Sequence, residues 1–112
     1  VAGYDDLKTL APQADLIVNC TPVGMFPRAD ESPWPQNTPF PARAALYDLV
    51  YNPPVTALMR QAEAAGARAL GGLGMLVRQG ALAFAQWVGI APPLAIMTGA
   101  AQAALAGLHS NP

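Results

Sequence analysis

The sequence predicts an α/β fold, namely the second half of a doubly wound parallel sheet, with three strands flanked by helices and one further C-terminal helix. Two observations predict it. Short apolar runs alternate along the chain with helical patterns, an order typical of parallel strands joined by crossover helices. The runs also lack regular apolar–polar alternation, which favours strands buried on both faces. The 112 residues suffice for one domain and are too few for two.

The N-terminal stretch contains a short helix and the first strand. The helix is predicted over residues 4–10 and is ended by Pro12. The first strand covers Leu16–Cys20, and Thr21-Pro22 stops it. Within this strand we interpret Cys20 as a small buried hydrophobic residue.

A long loop separates this strand from the second one. Residues 24–41 are rich in proline, and a connection of this length is expected to be either functional or partly disordered. The second strand is predicted over Ala45–Tyr51, because this run is again apolar, and Asn52-Pro53 ends it. Asp48 lies inside this strand, so we expect its carboxylate to be hydrogen-bonded to the backbone rather than to be catalytic.

A helix, a third strand and a long helix follow. Thr56 is predicted to cap the N-terminus of the first of these helices, and Gly66 to end it. Residues 67–70 form a third strand of weaker propensity. The next helix, over Met75–Val88, is apolar nearly all round, so it is expected to be buried. Gly89 ends it.

The last helix begins after Pro92-Pro93. Proline is accepted at the first helical position because the missing N–H has no partner there in any case. The apolar residues of this helix form one stripe at helical spacing. They are Leu94, Met97, Ala101, Leu105 and Leu108.

Composition and charge exclude several classes of function. Hydrophobic residues make up 53% of the chain and charged residues only 12%, so part of the surface is expected to face another domain or subunit. Polar residues and prolines interrupt the apolar stretches before they reach the ~18 residues of a membrane span. The formal net charge is −1 and the six Lys and Arg residues are scattered, which argues against a nucleic-acid partner.

The single cysteine and the N-terminus bear on the compartment. One cysteine cannot form an internal disulfide, which indicates a reducing compartment, here the cytoplasm. The N-terminus has no basic region followed by an apolar core, so no signal peptide is predicted. Because the sequence begins at Val1 rather than Met, we expect a processed, trimmed or truncated chain.

A ligand site is expected at the carboxyl ends of the predicted strands, where open parallel sheets bind their ligands. Residues 19–25, 49–53 and 71–75 fall there, and each places small or polar residues directly after a buried run. The glycines at 72 and 74 are not a dinucleotide fingerprint, since Val77 occupies the position of the third glycine. They form either a tight turn or a close approach of the backbone to a flat ligand ring.

Two polar side chains stand out near these segments. Gln79 lies one turn into the most apolar helix, roughly 6 Å along the axis from Met75. An unpaired amide buried there would cost about 1–3 kcal/mol, so Gln79 is expected to meet a protein partner, a water or a ligand. Tyr51 either orients a polar ligand or caps the core. His109 has no second candidate nearby, so neither a metal site nor a nucleophilic triad is predicted.

Three motifs of the chain resemble the shikimate dehydrogenase family and follow the order of that family. Residues 15–25 read Asp-Leu-Ile-Val-Asn-Cys-Thr-Pro-Val-Gly-Met, and residues 47–53 read Tyr-Asp-Leu-Val-Tyr-Asn-Pro. The third motif runs from Gly72 to Trp87 and contains Met-Leu-Val-Arg-Gln at 75–79. The resemblance implies a two-domain enzyme that reversibly reduces 3-dehydroshikimate to shikimate with NADPH, in aromatic amino-acid biosynthesis. Residues 1–112 would then be the C-terminal portion of its Rossmann-like NADP-binding domain.

The resemblance also implies a division of roles. The family's catalytic Lys and Asp belong to an N-terminal substrate domain, and its glycine-rich loop belongs to the first half of the cofactor domain. No catalytic residue is therefore expected in this chain. The residues that would contact ligands are Thr21, Leu49, Gly72 and Met75 for NADP, and Tyr51 and Gln79 for shikimate or 3-dehydroshikimate.

The chain is accordingly expected to be inactive alone and to work with the N-terminal half of the same enzyme. The first strand would pair on one side with a strand of that half, so its free edge also predicts a homo-oligomer. Two other hypotheses stay open. One is a related quinate/shikimate dehydrogenase with a different substrate or cofactor, and the other is a non-catalytic binding or regulatory module that retains half of the enzyme domain.

Overall fold

The computed structural model describes residues 2–109, and the chain forms two compact units. The first unit runs to Gly71 and contains the sheet, and the second begins at Gly72 and contains two long helices. The predicted order of strands and helices is confirmed, including the additional C-terminal helix.

The first unit contains α1 (Leu7–Leu10), β1 (Leu16–Asn19), β2 (Ala45–Asp48), α2 (Ala57–Ala64) and β3 (Arg68–Leu70). All strand pairs are parallel, in the order β1-β2-β3, which confirms the predicted parallel sheet. The parallel strands β2 and β3 are joined through α2, as a crossover connection requires.

The N-terminal helix is longer and less regular than predicted. A 3-10 turn at Tyr4–Asp6 precedes α1, and a second one at Ala11–Gln13 follows it. Pro12 stands in the first positions of this second turn, where no backbone donor is needed. Pro12 therefore ends the α-helix but not the helical path of the chain.

The central strand β2 supplies the middle of the core. Leu46 and Asp48 point to the same face of the sheet, and both are 0% exposed. Ile17 of β1 pairs with Leu46 across the sheet. Helix α2 contributes Leu58 and Ala62 to the same buried cluster. This face of the sheet is the one that the first unit covers.

The expectation that β1 is buried on both faces is wrong. Leu16 and Val18 alternate with Ile17 and are 59% and 43% exposed. Leu70 of β3 is exposed as well. Apolar residues at successive positions of β1 indicate that both faces of the strand favour burial. They do not indicate which other element, if any, packs against each face. Among the described residues, only the face of Ile17 and Asn19 is covered.

The second strand is shorter than predicted and ends at Asp48 rather than Tyr51. The amide of Leu49 still bonds the Asn19 carbonyl oxygen of β1 at 3.1 Å. The next amide, of Val50, turns back to the Asp48 side chain at 3.1 Å and leaves the ladder. A side-chain acceptor thus ends this strand, which the apolar sequence does not reveal.

Both predicted caps of α2 are confirmed. The Thr56 hydroxyl oxygen accepts a hydrogen bond from the Met59 amide at 3.1 Å. Gly66 follows the last turn with φ +88°, the left-handed conformation that favours glycine. The Ala67 amide bonds the Ala62 carbonyl oxygen at 3.0 Å and so satisfies one of the free carbonyls of the last turn. These bonds fix where β3 begins.

The loop between β1 and β2 packs into the core of the first unit. Trp34 and Phe40 are buried, with their ring centroids 4.7 Å apart. The Trp34 indole Nε1 donates to the Thr38 carbonyl oxygen at 2.7 Å. The proline-rich composition predicted a loop correctly, but it did not predict that two aromatic residues of the loop belong to the core.

The second unit consists of α3 (Leu73–Val88) and α4 (Leu94–His109). Gly89 ends α3 with φ +78° and bonds the Ala85 carbonyl oxygen through its amide, which confirms the predicted stop. The two helices approach closely at Gly80, where an added Cβ would lie 3.8 Å from Met97 Cε.

The expectation that α3 is buried is wrong for most of its surface. Val77 and Ala81 are buried, whereas Leu82 is exposed and Trp87 is 82% exposed. Helix α4 can cover only one side of α3, so an all-round apolar sequence leaves the other sides open. Among residues 2–109, no helix is long and apolar enough to cross a membrane.

The apolar stripe of α4 is only partly buried. Leu105 is buried, and Met97 and Ala101 are half-buried. Leu94 and Leu108, at the two ends of the stripe, are exposed. Helical spacing thus identified the inward side of α4 correctly and overestimated the length over which it is covered.

Candidate functional site

The candidate site lies where β1 and β2 end, at the carboxyl edge of the sheet. Asn19 and Asp48 are register partners at the last positions of these strands. The side-chain Nδ2 of Asn19 donates to Asp48 Oδ1 at 2.9 Å. The backbone carbonyl oxygen of Asn19 accepts from the Leu49 amide. Further along, the Phe26 amide bonds the Asn52 carbonyl oxygen at 2.9 Å. The segments that follow the two strands are therefore tied together, as the sequence predicted for strand ends at one edge.

Thr21 is held directly by Asn19. Asn19 Oδ1 accepts hydrogen bonds from the Thr21 amide at 3.0 Å and from the Thr21 hydroxyl at 2.7 Å. The Thr21 hydroxyl oxygen in turn accepts from the Val23 amide at 3.3 Å. Thr21 is half-buried, so it combines a fixed orientation with access to the surface of the edge.

Asp48 has no solvent contact and accepts three hydrogen bonds. Besides Asn19, the donors are the Val50 amide at 3.1 Å and the Thr56 hydroxyl at 2.6 Å. The expectation that its carboxylate bonds to the backbone is confirmed. The two side-chain donors, Asn19 and Thr56, were not predicted, because the predicted strands ran past Asn19 and Asp48 and hid that these two residues end them.

Leu49 and Tyr51 flank the buried Val50 and are more accessible than it. Leu49 is half-buried and Tyr51 is 39% exposed. Next to them, the Asn52 side-chain oxygen Oδ1 is buried without a hydrogen-bond partner among the described residues. This part of the edge offers an apolar side chain and a phenol to a ligand, whereas the Asn52 side-chain oxygen is not accessible.

The second unit carries the other predicted contact residues at the start of α3. Gly72 is buried at its N-terminus, and Met75 and Gln79 are exposed. A separation of four residues puts Met75 and Gln79 on the same side of the helix, about 6 Å apart along the axis. The burial assumed for the Gln79 amide is wrong, because Gln79 is exposed. An exposed amide can hydrogen-bond to water, so burial does not require a partner for Gln79.

Cys20 is exposed, so its interpretation as a buried hydrophobic residue is also wrong. The strand ends one residue earlier than predicted, at Asn19. The alternation of the strand stops there, and Cys20 belongs to the following connection. Its thiol is accessible at the same edge of the sheet as Thr21.

The chemistry available at this edge is binding and orientation. The carboxylate that the described residues place there, of Asp48, is buried and accepts from three donors. The Thr21 hydroxyl already donates to Asn19 and can accept a further hydrogen bond, the Tyr51 hydroxyl can donate or accept, and Leu49 adds apolar surface. In the part of the chain that the structure describes, no three His, Cys, Asp or Glu residues lie together as metal ligands would.

Comparisons with known proteins agree on one family. A model of the Shikimate 5'-dehydrogenase C-terminal domain matches residues 72–102. The shikimate dehydrogenase (NADP(+)) of Methanopyrus kandleri is 46% identical over 93 residues, which are 83% of this chain and 32% of that protein. The chain spans about a third of the length of the curated relatives it matches.

Solved structures give the same picture for the fold. Shikimate 5-dehydrogenase from Thermus thermophilus, in complex with NADP(H) and shikimate, superposes with a TM-score of 0.78 at 42% identity, over 87% of this chain and 36% of that one. Quinate dehydrogenase from Corynebacterium glutamicum, in complex with NAD, superposes with a TM-score of 0.73 at 28% identity, over 85% of this chain and 33% of that one.

Proposed function

This chain belongs to the shikimate dehydrogenase family, and we propose that it is the C-terminal portion, residues 1–112, of the Rossmann-like cofactor domain of an NADP-dependent shikimate dehydrogenase. The complete cytoplasmic enzyme reversibly reduces 3-dehydroshikimate to shikimate. This chain supplies contacts to the nicotinamide end of NADP and to the substrate. The N-terminal half of the enzyme supplies the groups that move protons, so this chain alone is inactive.

The hydrogen-bonded edge of the sheet is the observation that carries this proposal. Thr21 follows β1, Leu49 and Tyr51 follow β2, and Asn19 bonds to both segments. In open parallel sheets, ligands bind beyond such strand ends. The three residues that the family resemblance assigns to ligands in the first unit all follow these strand ends, which supports the proposal.

The accessible residues suit the nicotinamide end of NADP. When bound, the reduced cofactor NADPH would supply the hydride for the reduction and become NADP(+). Leu49 and Met75 each present partly exposed apolar surface, which suits the face of a flat ring. Gly72 contributes only backbone, which permits a close approach. Thr21 carries a hydroxyl whose direction Asn19 fixes.

A quinate dehydrogenase that uses NAD is the second candidate function. The likeness to the Corynebacterium glutamicum quinate dehydrogenase in complex with NAD favours it. Its lower identity, 28% against 42% for the Thermus thermophilus enzyme, makes it the weaker candidate. Activity of the full-length protein with shikimate or quinate, each tried with NADP and with NAD, distinguishes the two.

Gln79 is proposed to donate a hydrogen bond to the substrate. In the full-length protein that carries this sequence, Gln79→Ala is expected to weaken shikimate binding by on the order of tenfold, the loss of one hydrogen bond. Gln86→Ala is the matched control, because Gln86 lies on the same helix, is equally exposed and is assigned no ligand. Titration of both variants with shikimate measures the effect. Equal affinities for the two variants would refute the role of Gln79.

We also propose that the chain self-associates through the free edge of β1. Within residues 2–109, β1 pairs with β2 alone, and it carries the exposed Leu16 and Val18. An uncovered apolar edge strand favours pairing with another chain. Sedimentation is expected to show a dimer or larger species for the natural sequence and a monomer for Val18→Lys. The control Val55→Lys places the same charge at another exposed valine and should remain associated, whereas a monomeric natural sequence would contradict the proposal.

A further inference from the structure

Among residues 2–109, the pair Asn19–Asp48 is the one polar contact in the core that joins two strands through side chains. Asp48 is 0% exposed and Asn19 is also buried, and their side chains meet at 2.9 Å. No Lys or Arg is hydrogen-bonded to this carboxylate among the described residues; its three donors are all neutral. Burial of a carboxylate disfavours folding unless hydrogen bonds compensate for the lost water. An apolar pair would fill the same space without this cost.

The hydrogen bonds that this pair accepts show what a polar pair can do here that an apolar pair cannot. Each bond leads to a different part of the edge. Asn19 Oδ1 fixes Thr21, and Asp48 Oδ1 fixes the Val50 amide, which lies between Leu49 and Tyr51. Hydrogen bonds are directional, whereas apolar contacts are not, so the pair sets the orientation of both segments as well as their proximity.

We infer that Asn19 and Asp48 are positioning residues that hold Thr21 and the segment 49–51 in one fixed arrangement at the carboxyl edge. Neither residue is assigned a ligand contact. The functional meaning of this inference rests on the proposed function, because Thr21, Leu49 and Tyr51 are the residues proposed to contact ligands. The physical claim, that one buried pair controls both segments, concerns the first unit alone and is tested without ligand.

The variant Asn19→Asp separates positioning from simple stabilisation. Aspartate keeps the oxygens that accept from Thr21, but it replaces the donor to Asp48 with a second carboxylate. When two carboxylates are in hydrogen-bond contact, one of them has a raised pKa, because ionising both together is unfavourable. Below this raised pKa a shared proton restores the contact, and as the pH rises through it the proton is lost and the contact is broken.

Amide hydrogen exchange of this chain, followed by NMR, measures the effect. In Asn19→Asp the amides of Thr21 and Val50 are expected to lose protection together as the pH rises above about 4, the ordinary pKa of an aspartate, by about tenfold for each unit by which the pKa is raised. The exchange is corrected for its intrinsic pH dependence. The amide of Ala62, inside α2, reports global unfolding and should change much less.

Two control variants complete the test. Ala62→Gly weakens the first unit in the middle of α2, so its Thr21 and Val50 amides should change only in proportion to global stability. Asn19→Asp combined with Asp48→Asn leaves a single carboxylate in the pair, so the pH dependence at Thr21 should disappear. The inference is wrong if Thr21 and Val50 respond independently in Asn19→Asp, or if they follow Ala62 at every pH. Neither result would bear on shikimate binding through Gln79.

Discussion

Leu46→Ala is expected to lower the free energy of unfolding of the first unit by about 2–5 kcal/mol, the usual range for a buried leucine truncated in a packed core. Leu46 is fully buried in the central strand and lies in one cluster with Leu58 and Ala62. Truncation removes apolar contacts on all sides and leaves a cavity that the strand backbone cannot close. Urea denaturation, followed by circular dichroism, measures the change.

Leu16→Ala is the matched control for this prediction. Leu16 is the same residue type in the neighbouring strand, but it lies on the exposed face of the sheet. Its truncation is expected to cost well under about 1 kcal/mol, since little apolar area is buried there. Comparable losses for the two variants would contradict the prediction, because the exposed face would then contribute as much to stability as the buried one.

Gly24→Ala is expected to destabilise the first unit by about 1–3 kcal/mol, the cost of a residue held in a disfavoured backbone conformation. Gly24 has φ +92°, which side chains rarely adopt. An added Cβ would also lie 2.9 Å from the Glu31 carbonyl oxygen, closer than real contacts allow. The loop after Thr21 must therefore shift. Thermal denaturation of the variant measures the loss.

Gly99→Ala is the matched control, and it is expected not to destabilise the protein. Gly99 lies in α4, and an added Cβ there has no heavy atom within 4 Å. Alanine favours the helix over glycine by roughly 1 kcal/mol, so this variant should be as stable as the natural sequence or more stable. If both substitutions had the same effect, the strained conformation of Gly24 would not explain the result.

The candidate site could be located from the sequence because strand ends are visible in it. Asn52-Pro53 and Thr21-Pro22 follow apolar runs, and parallel strands bring such ends to one edge. The network that holds the edge could not be predicted. Asn19 and Asp48 are far apart along the chain, and only the register of β1 on β2 makes them neighbours.

The sequence by itself determined the order of strands and helices, the parallel sheet and the caps at Thr56 and Gly66. These depend on local preferences, such as the backbone freedom of glycine and the side-chain oxygen of threonine, which act over a few residues. Its three motifs also determined the family.

Only the tertiary structure decided which apolar surfaces are covered. Leu16 and Trp87 are as apolar as Leu46, yet they are exposed, because burial depends on which element packs against a face and the sequence of the face does not contain that element. The same reason applies to Gln79, whose surroundings were inferred from the apolar residues of its own helix. Hydrophobic patterning records the preference of a surface for burial, and the arrangement of the other elements determines whether that preference is met.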